Sequence, residues 1–388
     1  MRRKTWFAGA GALAAGALLP RRAWAQATNV VTIGYTGPLS GGAAQYGADV
    51  QRGIQMAIDE INAAGGAGAK KYTFKLASLD DAYRPNEAAT NAKRLAQESN
   101  APIVFCPHSG GILAIEDFND KQSPKFVLGA YTSEPAILKK NDTLMLMIPP
   151  AYDGYFKPFG EYSMKRFGKK LGLIATTTAY GNAWTKGFSA AWQAMGGTVL
   201  TNNGVDYNTT ADFSTTVSKA LAEKPDVILV GGPSQPTGLV MKSARDQGYN
   251  GGFVMMDQAK FDQLQSVLPI AKLEGAVGVV PFPLYPGAGT KIFIDAYTKK
   301  FGTERAPNTE IAFNYMAMHI FAEAIALAGS ADPVALAGKL HDAAKGLNPK
   351  YQPATIHGVT KAGHLMLDAI AASVDKGKYD KITIPFTE

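Results

Sequence analysis

Short, almost continuously apolar runs alternate with amphipathic helical segments along most of this chain. The first strand is predicted at residues 30–35, and the helix after it carries apolar residues at i, i+3, i+4 and i+7: Ile54, Ala57, Ile58 and Ile61. Further strands are predicted at residues 72–79, 102–106, 125–130, 170–175, 226–232 and 252–257, and helices between them include those from Pro85, near 184–195 and ending at Arg245. Apolar strands that alternate with helices are typical of parallel sheets covered on both faces. The pattern predicts an α/β fold.

The length of the chain favours two domains of this kind. It has 388 residues, and single domains commonly hold about 100 to 200. Proline-rich segments at residues 148–153 and 280–287 interrupt otherwise regular elements, and prolines keep an extended link short and stiff. We therefore predict crossings between the domains at both segments, with an ordinary surface loop at each as the alternative.

The N-terminal segment has the pattern of an export signal. Basic residues at positions 2–4 precede an apolar stretch, 6–19, and then Ala23-Trp24-Ala25. The apolar stretch is shorter than the ~20 residues that span a bilayer as a helix, so we expect cleavage after Ala25 and a released periplasmic protein. Both the general secretory route and the twin-arginine route fit the basic residues around this segment.

Net charge and cysteine content argue against nucleic-acid binding and against an internal disulfide. The formal net charge of +7 falls to +2 without the five basic residues of the signal, so it gives no support to nucleic-acid binding. Cys106 is the only cysteine, and an internal disulfide is therefore excluded. We expect a monomer.

The sequence gives little sign of catalytic or metal chemistry. The five histidines are scattered without the usual metal-ligand spacing. Asp80 and Asp81 could bind a metal, but turn and capping chemistry before the helix at Pro85 is the simpler interpretation. Cys106 and His108 could form a thiolate pair, although Pro107 favours a strand end and a buried, inert thiol. We expect a protein without enzymatic activity, cofactor or metal.

Hydroxyls, small residues and aromatic side chains collect where the predicted strands end. These clusters are residues 109–111, 130–133, 176–180, 231–234 and 257–258. Open parallel sheets bind ligands outside the carboxyl ends of their strands. Each cluster alone is better explained as a turn, but five together favour a binding site without catalysis.

The same residues carry a resemblance to a known family. In order along the chain these are "IGYTGPLSGGAAQYG", "GIQMAIDEINAAGG", "LDDAYRP", "GAYTSEPAIL", "AYGNAWTKGF" and "VILVGG". The chain resembles the leucine/isoleucine/valine-binding family of periplasmic solute receptors, which deliver ligands to ATP-driven importers. The resemblance implies a type I fold of two mostly parallel α/β lobes joined by three crossing strands, with lobe 1 at residues 28–148 and 282–356 and lobe 2 at 149–281 and 357–388.

The resemblance also implies ligand contacts. An amino acid, aliphatic or aromatic, would lie between the closing lobes, and the membrane permease of an importer would be the partner. The implied contacts are Ser109 and Thr132 for the α-carboxylate, the Ala130 carbonyl and Asp257 for the α-ammonium, Tyr180 on the second lobe, and Tyr46 beside the ligand side chain.

Three departures from the family pattern keep other ligands open. Tyr83 and His108 stand where some relatives have a cysteine pair, Pro233 replaces a second tyrosine, and Asp257 is shorter than the usual glutamate. An aromatic carboxylate, an amide or a urea-like molecule would use the hydroxyls and have little need of Asp257. A sensory binding module and a secreted hydrolase using Asp80, Asp81 and a metal are further alternatives.

Overall fold

A computed structural model describes residues 29–140, 142–384 and 386. The predicted signal, residues 1–25, lies outside the described residues. The N-terminal part builds a five-stranded parallel sheet in the order β2-β1-β3-β4-β5. Its strands are β1 Val30–Gly37, β2 Thr73–Asp80, β3 Ile103–Cys106, β4 Val127–Ala130 and β5 Met145–Met147, and its helices are α1 Ala44–Ala63, α2 Pro85–Glu98 and α3 Ser109–Glu116.

The middle of the chain builds a second set of alternating elements. Its strands are β6 Lys170–Ala175, β7 Thr198–Asn202, β8 Val227–Gly231, β9 Gly252–Met255 and β10 Ala276–Val279. Its helices are α4 Phe156–Phe167, α5 Ala179–Ala194, α6 Ser214–Ala222, α7 Ser234–Asp246 and α8 Phe261–Leu264. Helix α5 begins five residues before the predicted start near 184, because the Thr178 hydroxyl accepts from the Gly181 N–H and caps it.

The C-terminal part contributes to both halves. Helices α9 Thr290–Phe301, α10 Thr309–Ala328, α11 Pro333–Ala337 and α12 Leu340–Gly346 precede strands β11 Ile356–Val359, β12 Leu365–Leu367, β13 Ala369–Asp375 and β14 Lys378–Ile384. Strands β13 and β14 add antiparallel to the second sheet, whose order is β14-β13-β10-β9-β8-β6-β7, while β11 and β12 form a separate pair. Short 3-10 helices lie at Pro135–Lys139, Tyr152–Tyr155, Ile270–Leu273, Phe282–Leu284 and Pro349–Tyr351.

These elements form two α/β lobes, which confirms the predicted fold class. We call the first sheet with α1–α3 and α9–α12 lobe 1, and the second sheet with α4–α8 lobe 2. Within the described residues the chain passes between the sheets three times: after β5, after β10 and before β13. The proline-rich segments 148–153 and 280–287 lie at the first two passages.

The core of lobe 1 depends on the packing of α10 against α1. Both are 20 residues long, and α10 is buried around nearly its whole circumference. Helix α10 is also long and apolar enough to cross a membrane, but 78% of its apolar window is buried inside the protein, as expected for a core helix. The α1 and α10 ends that face lobe 2 carry Tyr46 and Glu310.

A buried acid on α3 makes stability depend on pH. Both carboxylate oxygens of Glu116 lack a hydrogen-bond partner among the described residues, and burial raises its pKa from 4.5 to about 8. Between these values Glu116 holds a proton in the folded protein that it has released in the unfolded chain, so its contribution to the free energy of unfolding falls by about 1.4 kcal/mol per pH unit as pH rises.

We therefore expect Glu116→Gln, which has no charge to gain, to become progressively more stable than the wild type as pH rises from 4.5 to 8. Urea denaturation of both proteins at several pH values measures the difference. A difference in stability that stays constant with pH would contradict the raised pKa of Glu116.

Candidate functional site

A cavity lies between the two lobes at the carboxyl ends of their strands. Its cavity volume is about 30 Å³, so the lining side chains nearly fill the cleft in this structure. Five of the six predicted contacts line it: Tyr46, Ser109, Thr132, Tyr180 and Asp257. Open α/β sheets bind ligands outside the carboxyl ends of their strands, and this cavity lies at those ends of both sheets.

The lobe 1 side presents a pair of hydroxyls. Ser109 Oγ and Thr132 Oγ1 are 2.6 Å apart, and Thr132 Oγ1 also accepts from the Glu134 N–H at 3.3 Å. Ser109 is the first residue of α3, which His108 caps by accepting from Gly111. Because the first N–H groups of a helix point outward with a partial positive charge, this wall suits a small anion such as a carboxylate.

The lobe 2 side presents a carboxylate held by two donors. Asp257 Oδ1 accepts from the Tyr180 hydroxyl at 2.7 Å and from Trp184 Nε1 at 2.9 Å. The two donors are one turn apart on α5, so a single helix face orients the carboxylate. Burial and the charge of Asp257 raise the pKa of Tyr180 well above its ordinary value, which keeps the phenol protonated as a donor.

The structure does not bring Ala130 to the cavity. Its carbonyl, the predicted acceptor for an ammonium, accepts from the Ile148 N–H at 2.9 Å, and Ala130 is fully buried in β4. The following residues, Tyr131 and Thr132, line the cavity instead. The predicted aromatic residue, Tyr46, does line it and donates its hydroxyl to the Pro107 carbonyl at 2.6 Å.

Sequence reasoning missed a buried ion pair that joins the lobes. Lys260 Nζ of lobe 2 lies 3.1 Å from Glu310 Oε1 of lobe 1, and both side chains are almost fully buried. Lys260 also donates to the Asp257 carbonyl, and burial raises the pKa of Glu310. Lys260 lies three residues after Asp257, so its position near a strand end was visible in the sequence. Glu310 gave no such signal, because it lies in the first turn of a helix, where the helix dipole alone favours an acid.

Aromatic rings form most of the remaining wall. Besides the predicted tyrosines, the cavity is lined by Tyr83, Tyr131, Tyr155, Tyr285 and Phe313. Prolines aside, Val279 is the single aliphatic side chain among the lining residues that the structure describes. These rings come from five separate segments, so no local pattern in the sequence could have grouped them.

The Asp81, Cys106 and His108 groups lie within 4.8 Å of one another, but hydrogen bonds already account for them. Because His108 Nδ1 accepts from Gly111, its Nε2 carries the proton and donates to Asp81 Oδ2 at 3.0 Å. Asp81 also caps the turn at Tyr83, in agreement with the turn interpretation. Burial raises the pKa of Cys106 well above its ordinary value, so its thiol is neutral and unreactive.

Tyr83 and His108, the residues at the cysteine-pair positions of some relatives, are also in contact. Their rings stack with centroids 4.6 Å apart and an interplanar angle of 25°. Tyr83 continues across the cleft, because Gln258 Nε2 of lobe 2 donates to its hydroxyl at 3.1 Å. The stacked rings of Tyr83 and His108 therefore connect the turn after β2 with the residues after β3 by a noncovalent contact.

Further hydrogen bonds hold the lobes together at the cleft edge. The Asn208 main-chain and side-chain oxygens of lobe 2 accept from the N–H groups of Gly42 and Ala43 in lobe 1, each at 3.0 Å. Gln263 Nε2 donates to the Ala306 carbonyl at 3.1 Å. The structure is therefore a closed form in which both lobes contribute to the cavity.

Comparison with known proteins decides the family. The sequence pattern of the periplasmic binding protein family matches residues 30–378. The chain belongs to this family. This periplasmic binding protein is 29% identical over 221 residues to the Leu/Ile/Val-binding protein BraC3 of Rhizobium johnstonii. The match spans 57% of this chain and 59% of that protein. The predicted family is confirmed, and the relatives of the chain include proteins named Leu/Ile/Val-binding protein.

Solved periplasmic binding proteins share the whole fold. The branched-chain amino acid substrate-binding protein LivJ of Streptococcus pneumoniae, in complex with isoleucine, matches with a TM-score of 0.75 at 21% identity, over 92% of this chain and 99% of that one. A solute-binding protein of an ABC transporter from Rhodopseudomonas palustris, in complex with 3,4-dihydroxybenzoic acid, matches with a TM-score of 0.74 at 21% identity, over 93% and 98%.

Proposed function

We propose that this periplasmic binding protein is an exported receptor that closes its lobes around an amino acid and delivers it to an ABC importer. The observation that carries the proposal is the opposition of two walls across one cavity. Lobe 1 offers the Ser109–Thr132 hydroxyl pair at a helix N-terminus, and lobe 2 offers the Asp257 carboxylate. One wall suits the α-carboxylate of an amino acid and the other suits its α-ammonium.

Each group has a defined role in this proposal. Ser109 and Thr132 donate hydroxyl hydrogens to the carboxylate, while Asp257, oriented by Tyr180 and Trp184, gives the ammonium its countercharge. A countercharge matters because lobe closure removes water from the ammonium. The α-carboxylate of the ligand needs no countercharge from the protein, because it receives several modest hydrogen bonds.

A second candidate is an aromatic carboxylate. The aromatic walls and the buried ammonium of Lys260 favour it, and the Rhodopseudomonas receptor of the same fold binds a dihydroxybenzoic acid. Against it, Lys260 is already paired with Glu310, and a ligand without an ammonium would leave the charge of Asp257 uncompensated in the closed cleft.

The remaining parts of the proposal concern the whole protein. Residues 1–25 act as the export signal, with cleavage after Ala25, and the released receptor works as a monomer in the periplasm. Lobe 1 comprises residues 28–148 and 282–356, and lobe 2 comprises 149–281 and 357–388. The partner in the membrane is the permease of the importer, and no cofactor takes part.

Thr132→Val tests the hydroxyl wall with a side chain of the same shape. It removes one ligand donor and the partner of the Ser109 hydroxyl, so we expect affinity to fall by about 1 to 3 kcal/mol, or ~5- to 150-fold. Calorimetric titration measures the loss, and thermal unfolding without ligand shows that the fold survives. Thr143→Val, at an exposed threonine of the same lobe, is the matched control. Unchanged affinity in Thr132→Val would reject the assigned wall.

A further inference from the structure

A second cavity lies between the lobes beside the first. Its cavity volume is about 230 Å³, and Tyr46 and Glu310 line both cavities. We call it the polar chamber, because most of its lining side chains are polar or charged: Gln45, Asp49, Arg305, Asn308 and Glu310 from lobe 1, and Ser234, Gln235, Gln263 and Ser266 from lobe 2. The polar chamber and the ligand cavity therefore share a boundary at Tyr46 and Glu310.

The two acids of the polar chamber, Asp49 and Glu310, differ in how many hydrogen-bond partners they have. The Asp49 carboxylate accepts from Gln45, Arg305 and Asn308, so its hydrogen-bonding capacity is occupied. Glu310 is 2% exposed, and Lys260 lies against its Oε1, whereas its Oε2 has no partner among the described residues. Gln258 Oε1, in the neighbouring ligand cavity, is also a buried acceptor without a described partner.

Buried acceptors that lack donors indicate what a ligand must supply. Polar atoms inside proteins are almost always paired, so Glu310 Oε2 and Gln258 Oε1 call for N–H or O–H groups on whatever fills the space. The charges nearby are already balanced, because Lys260 offsets Glu310 and Arg305 offsets Asp49. A neutral donor fits this balance better than a cation, which Lys260 and Arg305 would repel.

We propose that the polar chamber is the far end of the ligand site and accepts an amino-acid side chain ending in a neutral, donor-bearing group such as a carboxamide or urea. This rests on the proposed function, since the α-carboxylate and α-ammonium anchor the near end. Glu310 Oε2 accepts the terminal N–H, and Tyr46 lies alongside the chain that connects the two ends. The site therefore selects against purely aliphatic side chains.

The test compares ligands that differ at the far end alone. Calorimetric titration of the wild type with glutamine, citrulline, norleucine, glutamate and lysine should show the two amide-bearing ligands binding about tenfold or more tighter than the other three. Norleucine binding as tightly as glutamine would overturn this inference and leave the proposed function standing. No binding by any amino acid would overturn the proposed function as well.

Glu310→Gln separates a ligand contact from a structural role. Lys260 would hold the new amide oxygen, which places an NH₂ group at the position of the unpaired Oε2. We expect the preference for glutamine over norleucine to shrink about tenfold and glutamate to gain relative to glutamine. Glu323→Gln, at an exposed acid on the same helix, is the matched control and should keep the wild-type preference. An unchanged preference in Glu310→Gln would contradict the proposal.

Discussion

Asp257→Asn should lower the affinity for an amino acid by about 1.5 to 3 kcal/mol or more, which is ~10- to 150-fold. The asparagine oxygen can still accept from Tyr180 and Trp184, so the shape of the wall is kept while its charge is lost. The α-ammonium would then enter the closed cleft without a countercharge. Calorimetric titration of variant and wild type measures the change.

The same variant also separates the two candidate ligand classes. Benzoate has no ammonium, so its affinity for Asp257→Asn should stay within about threefold of wild type or improve, because a like charge is removed. Asp380→Asn changes an exposed aspartate of lobe 2 and serves as the control. Equal affinities of Asp257→Asn and wild type for the amino acid would show that Asp257 does not pair with the ligand.

Gly53→Ala should destabilise lobe 1 by about 1 to 3 kcal/mol or more. Gly53 lies where α1 crosses α10, and an added Cβ would stand 2.1 Å from the Ile311 carbonyl oxygen, a backbone atom that cannot turn aside. The two helices must separate, and the shift moves Tyr46 and Glu310 at their ends. We therefore expect weaker ligand binding together with the lower stability.

Chemical denaturation and calorimetric titration of Gly53→Ala measure the two effects. Gly346→Ala, in helix α12, is the matched control, because no atom of the described residues lies within 4 Å of its added Cβ. The control should be neutral or more stable by up to about 1 kcal/mol, since alanine favours helix. A Gly53→Ala protein as stable as Gly346→Ala would show that the α1–α10 contact is looser than described.

The sequence predicted the fold and much of the site because both follow from local patterns. Apolar strands alternating with helices report a parallel sheet, and residues just after each strand report its carboxyl edge. Ser109, Thr132, Tyr180 and Asp257, which the resemblance implies as ligand contacts, fall in these strand-end clusters and line the cavity. Ala130 failed because β4 continues through it and uses its carbonyl for sheet pairing, so the edge begins one residue later.

The residues that sequence reasoning missed depend on how the lobes meet. Lys260 and Glu310 lie 50 positions apart in the sequence and come into contact only in the closed cleft. Tyr285 and Phe313 belong to a passage between the sheets and to a core helix, where apolar residues are expected without a ligand. Nothing in the local periodicity encodes these contacts, because they result from the relative position of two separate sheets.

The proposed function requires that the cleft recognises both charged ends of an amino acid. Calorimetric titration of the wild type with the twenty common amino acids, followed by the carboxylic acid that lacks the α-amino group of the tightest binder, measures this recognition. We expect that acid to bind about 10- to 150-fold more weakly than the amino acid itself. If the deaminated acid or benzoate bound equally well or better, the protein would be a receptor for carboxylates and the claim would be wrong.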